Sequence, residues 1–391
     1  MKNGKIKIAI VSTLNASDIH AWSGTIYNFS QALKACGAEL YFIDNLAKKR
    51  RKLLRRFEKI YQRIISIFLK KRHFNGILPS TLKFYAREIE KKLVPDTDII
   101  LCMTSRGINY VKSNKPKMYY SDGVSAGLFD CTPSFSNLTK KSIANLNNLE
   151  QTALNNCDMV IFSSDWAKDC ALKYYKCNSD KIKVVPFGAN IECNRTKNDI
   201  EKIIQSKEKD ICRLLFVGRG WEVKGGSIAL ETARALHKKG VKVHLDIVGI
   251  KDCPVELPGY VENHGFIPKS TEDGKRKIDS LYEKAHFFIL PTRSESFGIV
   301  FCEAASFGLP SLATRIGGVP NAVLDNKSGK LFDFSDNGEK YAGYIQTMLA
   351  DFENYKKLCF SSFEQYEASL NWTAASKTVL KHIKELLDKK V

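Results

Sequence analysis

Short apolar runs of strand type recur along the chain, and a segment with helical hydrophobic periodicity follows most of them, as at Ile228–Lys239 and Gly298–Phe307. Strands that alternate with helices form parallel sheets with helices on both faces. The chain is therefore predicted to have an α/β fold. The predicted strands are Ile6–Val11, Leu40–Ile43, Ile99–Met103, Lys117–Tyr120, Met159–Ser163, Arg213–Val217, Lys242–Val248, Phe287–Leu290 and Pro310–Ala313.

The length of the chain, 391 residues, predicts two domains rather than one. The stretch 190–209 is polar and rich in charged residues, and it precedes a fresh strand. We place the domain boundary there, which gives a first domain of residues 1–190 and a second of residues 191–371. The hydrophobic content of 44% is enough for a packed core in each, which excludes a disordered or fibrous chain.

The chain is strongly basic, with 61 Lys and Arg against 42 Asp and Glu, a formal net charge of +19. Residues 1–195 hold 32 of the basic and 16 of the acidic residues, so most of the excess lies in the first domain. Such a balance predicts an anionic partner, which could be nucleic acid, a phosphorylated substrate or an acidic membrane face.

The eleven cysteines are irregularly spaced and include no C-x-x-C pair, so neither a disulfide framework nor a structural zinc site is predicted. This pattern favours a reducing cytoplasm. The apolar run Ile6–Leu14 is too short for a signal sequence, and no stretch reaches the roughly 18 apolar residues of a spanning helix. We expect a cytoplasmic protein that is soluble or peripheral on the inner face of the cell membrane.

Residues 48–72 form a basic segment with twelve Lys or Arg and one acid. Its apolar residues follow a helical i, i+3, i+4, i+7 stripe. We consider three interpretations: an interfacial helix on anionic lipid, a surface helix that packs on its own domain, and a nucleic-acid site, which no reader motif supports. The stripe consists of Leu53, Leu54, Phe57, Ile60, Tyr61, Ile64, Ile65 and Phe68.

A glycine-rich turn opens the second predicted domain, between the strand that ends at Val217 and a helix from about Ser227. It contains Gly218-Arg219-Gly220 and then Lys224-Gly225-Gly226. Glycines between a strand and a helix let an anion approach the helix N-terminus. Arg219 and Lys224 reach into the same space as a guanidinium fork and a point charge. The alternative is a solvent-exposed basic turn.

Two carboxylates stand about seventy residues further along the chain. Glu295 lies in the loop after the strand Phe287–Leu290, and Glu303 lies inside the helix that begins near Gly298. A carboxylate in so apolar a helix is costly unless it bonds a partner, and a ribose diol is a suitable one. The alternative is a pair of carboxylates that the helix dipole favours.

The R-x4-K pattern of Arg219 and Lys224, followed by the E-x7-E pattern of Glu295 and Glu303, resembles the retaining glycosyltransferases of family 4. The resemblance covers nearly the whole chain, including 157–191, Gly265–Ser270 and the late Trp372. It implies the GT-B architecture, in which two Rossmann-like domains face each other across a cleft. It also implies that residues 372–391 form a C-terminal helix packing back toward the first domain.

The resemblance implies roles for individual residues. Arg219 and Lys224 would grip the donor diphosphate, Glu303 would bind the ribose hydroxyls, and Glu295 would hold the transferred sugar. The residues around Gly265–Ile267 would meet the base, mostly through backbone. The implied donor-binding residues are Gly24, Arg219, Lys224, Gly265, Phe266, Ile267, Glu295, Phe297, Gly298, Ile299 and Glu303. The implied catalytic residues are Glu295, Asp122, Arg219 and Lys224.

Two of these assignments lie in the first domain. The family usually has a glycine pair after the first strand, whereas this chain has Ser23-Gly24-Thr25, so Gly24 alone is carried over. Asp122 follows the strand Lys117–Tyr120, where the family places a polar residue against the reacting sugar. His20 is the second candidate for that role.

The implied reaction is transfer of a hexose, with retention, from a nucleotide diphosphate sugar to a lipid-linked or membrane-proximal saccharide, as in surface polysaccharide or lipopolysaccharide assembly. No cofactor or metal is required, because Arg219 and Lys224 supply the countercharge. The one D-x-D, Asp96-Thr97-Asp98, directly precedes a strand and indicates a turn rather than a metal site. The nucleotide stays open between UDP and GDP.

Two other functions fit the same residues. The first is a sugar-nucleotide epimerase of GT-B fold. The second is a non-catalytic protein that docks on an anionic membrane or nucleic acid through residues 48–72. The predicted partners are a nucleotide-sugar donor, a saccharide or lipid-linked acceptor and an anionic membrane surface, and no nucleic acid is predicted.

Overall fold

The protein is described from a computed structural model that covers residues 5–49, 52–74, 76–129, 132 and 135–389, without the side chains of 49 and 52–55. The chain divides into two compact units. The first consists of residues 1–186 together with 372–391, and the second of residues 187–371.

The first unit is built on a parallel six-stranded sheet in the order β2-β1-β3-β4-β5-β6. Strands β3 and β5 are apolar throughout, and β3, β4 and β5 are almost wholly buried, as expected for a sheet that helices cover on both faces. The strands are β1 (Lys7–Val11), β2 (Glu39–Ile43), β3 (Ile99–Met103), β4 (Lys117–Ser121), β5 (Met159–Phe162) and β6 (Ile182–Val184).

Helices of the first unit lie in the connections between consecutive strands. The N-terminal end of α6 is capped by Thr139, whose hydroxyl accepts from Ser142 N. Short 3₁₀ turns at Ala21–Gly24, Ser105–Gly107 and Ser179–Lys181 complete the connections. The helices are α1 (Thr25–Ala35), α2 (Leu46–Lys49), α3 (Lys52–Leu69), α4 (Pro79–Lys92), α5 (Ser125–Leu128), α6 (Lys140–Asn156) and α7 (Asp165–Tyr174).

The second unit repeats the plan with a parallel sheet in the order β12-β11-β10-β7-β8-β9. Its central strand β10 is Phe-Phe-Ile-Leu, with all four side chains buried. The strands are β7 (Cys212–Val217), β8 (Val243–Val248), β9 (Val261–Asn263), β10 (Phe287–Leu290), β11 (Ser311–Thr314) and β12 (Gly329–Phe332).

Helices of the second unit begin with α8, whose capping box pairs the Thr196 and Asp199 side chains with each other's backbone N–H groups. The helices are α8 (Lys197–Ser206), α9 (Trp221–Lys224), α10 (Gly226–Lys238), α11 (Glu272–Lys284), α12 (Ile299–Ala305), α13 (Val319–Ala322), α14 (Gly338–Ala350) and α15 (Phe352–Ala368). The last helix, α16 (Trp372–Asp388), belongs to the first unit.

The predicted α/β fold with two parallel sheets is confirmed, and each of the nine predicted strands is present within one or two residues of its predicted ends. The prediction missed β6, β9 and β12. Each of these has three or four residues and lies at an edge of its sheet. The helix predicted at Gly298–Phe307 ends two residues early, as α12 at Ala305.

Helix α3 corresponds to the basic segment, and most of its described apolar side chains are exposed. Ile65 is half-buried and the ring of Tyr61 contacts that of His73, so the helix packs on the first unit through part of its apolar stripe and not through all of it. Residues 50 and 51 and the side chains of Leu53 and Leu54 lie outside the described part. The exposed ones are Phe57, Ile60, Tyr61, Ile64, Ile67, Phe68 and Leu69, between 42% and 79% exposed.

Candidate donor site

Lys224 and Glu295 form the ionic centre of the candidate site, which lies in the second unit. Lys224 Nζ is 2.6 Å from Glu295 Oε2, although the two residues are 71 positions apart in sequence. Both side chains are largely buried, with 22% and 14% exposed. The two motifs that the sequence analysis treated separately therefore meet in one place.

The pairing follows from the sheet order, because β7 and β10 are neighbours and Lys224 and Glu295 follow their carboxyl ends. The loop after β10 is fastened to α9 through the Val223 carbonyl. That oxygen accepts from Arg293 N at 2.8 Å and from Thr292 Oγ1 at 3.0 Å. These bonds fix the approach of the two loops that carry the ion pair.

Two glycines allow this close approach. Gly225 has φ +73°, and a methyl group there would overlap the carbonyl oxygen of Pro291. Gly317 has φ +53°, and a methyl group there would overlap the carbonyl oxygen of Glu295. Because only glycine adopts this backbone region at little cost, both positions specify the site through the backbone. Neither was singled out by the sequence analysis as a contact residue.

Glu303 lies on α12 and is 2% exposed. Its Oε2 accepts from Lys269 Nζ at 2.5 Å and from Tyr282 OH at 3.1 Å. Burial, and then the charge of Glu303, raise the pKa of Tyr282 well above its usual value, which keeps the phenol a donor. The buried carboxylate thus has two hydrogen-bond donors within the second unit.

Arg219 reaches the loop Gly265–Ile267, which the family resemblance connects with the base. Its Cζ lies 5.0 Å from the centre of the Phe266 ring, a cation–π contact on a ring that is 56% exposed. The loop is tied to the sheet because Gly249 N donates to Gly265 O at 2.7 Å. Ile267 is buried.

The start of α12 is the remaining predicted part of the donor site. The helix begins at Ile299 with Gly298 as its N-cap, and Phe297 is buried against Phe187 with ring centres 5.6 Å apart. A methyl group on Gly298 would lie 3.3 Å from Glu295 Cγ, so the Glu295 side chain rests beside this helix start. The structure therefore brings Glu295 and the first turn of α12 together.

The residues assigned to the first unit follow strands of its own sheet. Gly24 is the N-cap of α1, and Asn28 Nδ2 donates to its carbonyl at 2.9 Å. Asp122 follows β4 and is half-buried, whereas His20 is exposed and its N–H donates to Asp18 Oδ1. Gly24 and Asp122 both lie beyond the carboxyl ends of parallel strands, where α/β sheets bind ligands.

Lys269 and Tyr282 are site residues that sequence reasoning missed. They precede Glu303 by 34 and 21 positions and lie outside the E-x7-E pattern. The sequence offered one signal, because a buried carboxylate needs hydrogen-bond donors. That need predicts that donor residues exist but does not say which they are.

The two acids of the D-x-D pattern, Asp96 and Asp98, both bond Lys7 at the start of the first sheet. Asp98 Oδ2 accepts from Lys7 N at 2.8 Å, and Asp96 Oδ2 accepts from Lys7 Nζ at 2.5 Å. Hydrogen bonding to Lys7 lowers the pKa of Asp96. The two carboxylates thus connect β1 to the turn before β3.

Chemically, the second unit presents two cations near a helix start, a buried carboxylate with two donors and a glycine-shaped backbone. Cations and N–H groups at the carboxyl edge of a parallel sheet suit a phosphorylated ligand. A buried carboxylate beside them suits a diol. This combination defines a candidate site for a nucleoside diphosphate.

Residues 196–359 match the family described as glycosyl transferases group 1. A relative with a known description is the D-inositol 3-phosphate glycosyltransferase of Corynebacterium diphtheriae, 24% identical over 241 residues, which are 58% of this chain and 56% of that protein. The chain thus spans just over half the length of the curated relatives it matches.

Solved structures resemble the chain over nearly all its length. Sucrose-phosphate synthase of Thermosynechococcus elongatus gives a TM-score of 0.67 at 17% identity, covering 98% of this chain and all of that one. Anabaena HepE, solved in complex with UDP-glucose, gives 0.61 at 14% identity, covering 97% of this chain and all of that one. The fold resembles that of the GT-B glycosyltransferases, and residues 196–359 match the family described as glycosyl transferases group 1.

None of the described helices combines the length and the apolar character needed to cross a bilayer.

Proposed function

We propose that this chain is a glycosyltransferase that moves a hexose from a nucleoside diphosphate sugar to a saccharide acceptor. The observation that carries the proposal is the 2.6 Å pair between Lys224 and Glu295 at the carboxyl edge of the second sheet. It lies inside the region that matches glycosyl transferases group 1.

Lys224 and Arg219 stabilise the leaving group. Departure of a nucleoside diphosphate leaves positive character on the sugar and growing negative charge on the phosphate. A fixed donor aimed at such charge contributes about 2.7–4 kcal/mol, by analogy with oxyanion holes. Glu295 holds Lys224 in place before the donor binds, and it is positioned to accept hydrogen bonds from sugar hydroxyls when the diphosphate arrives.

Glu303 binds the ribose, with Lys269 and Tyr282 fixing its carboxylate. The loop Gly265–Ile267 meets the base, and the exposed ring of Phe266 offers a stacking surface. We choose UDP as the first nucleotide to test, because HepE shares the fold and was solved with UDP-glucose. GDP remains the second candidate, since a base contacted through backbone is weakly specified.

Binding of UDP to the full-length chain tests the donor site. We expect at least tenfold weaker binding by calorimetry for Glu303→Gln and for Lys224→Gln, because each loses one charge that the ligand contacts. Matched controls in the same unit are Glu272→Gln and Lys284→Gln on α11, which should bind as the unmodified chain does. Equal affinity for all five proteins would contradict the site.

Incubation with UDP-glucose in the absence of an acceptor separates transfer from epimerisation. A transferase leaves the sugar unchanged apart from slow hydrolysis, whereas an epimerase converts it to a different sugar nucleotide. We expect the first result by nuclear magnetic resonance. Appearance of a new sugar nucleotide would instead favour the epimerase.

Transfer is proposed to proceed with retention and without a divalent metal. Acceptor attack on the face that the phosphate leaves lets the departing phosphate take the acceptor proton, so no separate enzyme base is needed. Arg219 and Lys224 supply the countercharge that a metal gives elsewhere. Retention predicts a product with the anomeric configuration of the donor, and Mg²⁺ should leave the dissociation constant for UDP unchanged.

The proposed acceptor is lipid-linked or membrane-proximal, because α3 presents an apolar face with basic flanks. Phe57, Ile64 and Phe68 are 60%, 47% and 79% exposed on one side of the helix. Arg56, Lys59 and Arg63 are exposed on the same helix, and Lys70 and Lys71 follow it. An apolar stripe alone suits many partners, but its combination with this charge suits an anionic bilayer surface.

The energetics favour reversible attachment. Each basic side chain near an anionic surface contributes about 1 kcal/mol, and each large apolar side chain moved from water contributes about 1.5–3 kcal/mol. Losses of side-chain and whole-molecule freedom offset part of this sum. The proposed localisation is therefore cytoplasmic and peripheral on the inner face of the membrane.

Flotation with vesicles tests the membrane face. We expect a larger share of the full-length chain to float with phosphatidylcholine vesicles that contain 30% phosphatidylglycerol than with pure phosphatidylcholine. The triple variant F57S/I64S/F68S should remain at the bottom. The matched control L14S/L172S/Y174S removes three exposed apolar side chains of the same unit outside α3 and should float. Equal recovery from both vesicle types, or flotation of the α3 variant, would contradict the proposal.

A further inference from the structure

A second group of chemically active side chains lies on the two outer strands β8 and β9, apart from the ion pair of the donor site. His244 and Asp246 are alternate residues of β8, and Glu262 and His264 are alternate residues at β9. The strands are parallel, and Asp246 lies opposite Glu262. His264 N donates a hydrogen bond to Ile247 O at 2.9 Å, which extends the pairing by one residue. Since alternate residues share a face of a sheet, an H-x-D and an E-x-H pair lie side by side.

The donor atoms of this group are close enough to share one ion. Asp246 Oδ1 is 3.3 Å from His244 Nε2 and 2.7 Å from His264 Nε2, and Glu262 Oε2 is 4.0 Å from His244 Nε2. One ligand atom from each of His244, Asp246 and Glu262 lies within 4.8 Å of the others. Ligands at about 2.0–2.2 Å around a tetrahedral zinc are roughly 3.3–3.6 Å apart, so small side-chain rotations suffice.

The buried histidine gives an independent indication. His264 is 7% exposed in its side chain, and its Nδ1 lies 3.1 Å from Glu262 Oε1 without the geometry of a hydrogen bond. A buried ring nitrogen without a hydrogen bond is rare, and this one faces the carboxylate of Glu262, a candidate ligand whose position is therefore not fixed by a completed bond. In the described part of the chain, the ion pairs of Asp246 and Glu262 are with these two histidines.

We propose that His244, Asp246 and Glu262 bind one divalent transition-metal ion, with His264 as the hydrogen-bonded partner of Asp246. Imidazole and carboxylate together suit Zn²⁺, Co²⁺ or Ni²⁺ rather than Mg²⁺ or Ca²⁺. A second-sphere histidine that orients a ligating carboxylate is a common feature of metal sites. With Glu262 60% exposed, the ion has a path from solvent.

Such an ion would join the edge strand β9 to β8, directly before the loop that begins at Gly265. This strand has three residues, so few hydrogen bonds hold it. The ion is thereby a structural clamp on the loop proposed to meet the base, and it takes no part in transfer. The cysteine pattern gave no sign of it, because its ligands are not thiolates and stand on two strands.

Titration of the full-length, chelator-treated protein with Co²⁺ tests the proposal. Nitrogen and oxygen ligands give visible d–d bands without the intense near-ultraviolet charge-transfer band of a cobalt–thiolate bond, which separates this site from the eleven cysteines. We expect one equivalent of Co²⁺ to produce the first type of spectrum and to raise the melting temperature.

The variants His244→Ala/Glu262→Gln and, separately, Glu262→Gln should bind Co²⁺ at least tenfold more weakly. The single variant changes a largely exposed side chain and guards against loss of folding. The matched control His382→Ala/Glu385→Gln removes a close histidine–glutamate pair elsewhere, 3.2 Å apart on α16, and should bind as the unmodified chain does. Equal Co²⁺ binding by all proteins, no binding at all, or a thiolate spectrum would overturn the proposal. UDP binding by the unmodified protein is measured separately, so failure here leaves the donor site untouched.

Discussion

Two buried carboxylates of this chain differ in what holds them. Glu303 accepts from Lys269 and Tyr282, so its charge is compensated. Glu150 in the first unit is 5% exposed; its Oε1 accepts from Ser125 Oγ at 2.9 Å, and among the described residues its Oε2 has no hydrogen-bond partner. Burial raises the pKa of Glu150 from 4.5 to about 7, so a group with no part in the proposed reaction titrates near neutrality.

The first prediction concerns this carboxyl. A raised pKa means that the folded unit binds the proton more tightly than the unfolded chain, so Glu150 is harmless below pH 4.5 and destabilises as the pH rises through 7. Glu150→Gln should leave the free energy of unfolding nearly unchanged at pH 4 and raise it by about 3 kcal/mol at pH 8. Urea unfolding at both pH values measures this difference.

Glu385→Gln serves as the control for that experiment. A hydrogen bond from His382 lowers the pKa of this exposed carboxyl, so its charge favours folding. Its removal should therefore give no stabilisation at pH 8. A Glu150→Gln protein with the same pH dependence as the unmodified chain would show that the carboxyl is hydrated or otherwise compensated.

The second prediction tests the close backbone approach in the donor site. Gly225→Ala should lower the free energy of unfolding of the second unit by several kcal/mol, because the methyl group overlaps Pro291 O at a positive φ. Gly240 has a similar φ of +79°, but a methyl group there would meet no other atom. Gly240→Ala should therefore lower the free energy of unfolding by only about 1–2 kcal/mol. Equal losses in urea unfolding would mean that the Pro291 contact relaxes freely.

At this scale the sequence predicted the charged residues of the candidate site but not the residues that contact them. Arg219, Lys224, Glu295 and Glu303 stand in patterns that can be read locally. Lys269 and Tyr282 contact Glu303 from the segment between β9 and β10. Gly317, in the loop after β11, lies against the carbonyl oxygen of Glu295. Such contacts depend on which strands are neighbours, which no local pattern states.

Among the strands, too, those with a strong local sequence pattern were predicted and the others were missed. Interior strands such as β3 and β10 are continuous apolar runs, because helices cover both faces, and these were predicted. The missed strands β6, β9 and β12 are edge strands of three or four residues, including half-exposed or exposed positions. An edge strand needs one neighbour and little burial, so its sequence carries a weak signal.

The third prediction concerns α16, which packs against α1 within the first unit. The rings of Trp372 and Phe29 have centres 5.4 Å apart, and Trp372 is 6% exposed. Trp372→Ala should lower the free energy of unfolding of the first unit by about 3–5 kcal/mol, through lost burial and a cavity. Tyr174→Ala, which removes a half-exposed ring of the same unit, should cost under about 1 kcal/mol. A small loss for Trp372→Ala in chemical unfolding would show that α16 contributes little to that core.

Considered as a whole molecule, the chain concentrates its charge where its exposed apolar helix lies. Residues 1–195 hold 32 basic and 16 acidic residues, whereas the whole chain has a net charge of +19. The composition predicted an anionic partner for this half but could not distinguish a lipid surface from other partners. That distinction rests on the exposed side chains of α3, which a sequence pattern alone would assign equally well to a buried face.

The fourth prediction separates the two parts of the proposed membrane attraction by salt. The Debye length falls from about 8 Å at 0.15 M to 3 Å at 1 M ionic strength, so the contribution of the basic residues should largely disappear while apolar insertion persists. Flotation of the unmodified chain with 30% phosphatidylglycerol vesicles should therefore decrease between 0.05 and 1 M NaCl without reaching zero. F57S/I64S/F68S should show no flotation at 1 M. Salt-independent flotation would exclude the charge contribution, and complete loss at high salt would mean that Phe57, Ile64 and Phe68 stay in water when the protein is bound.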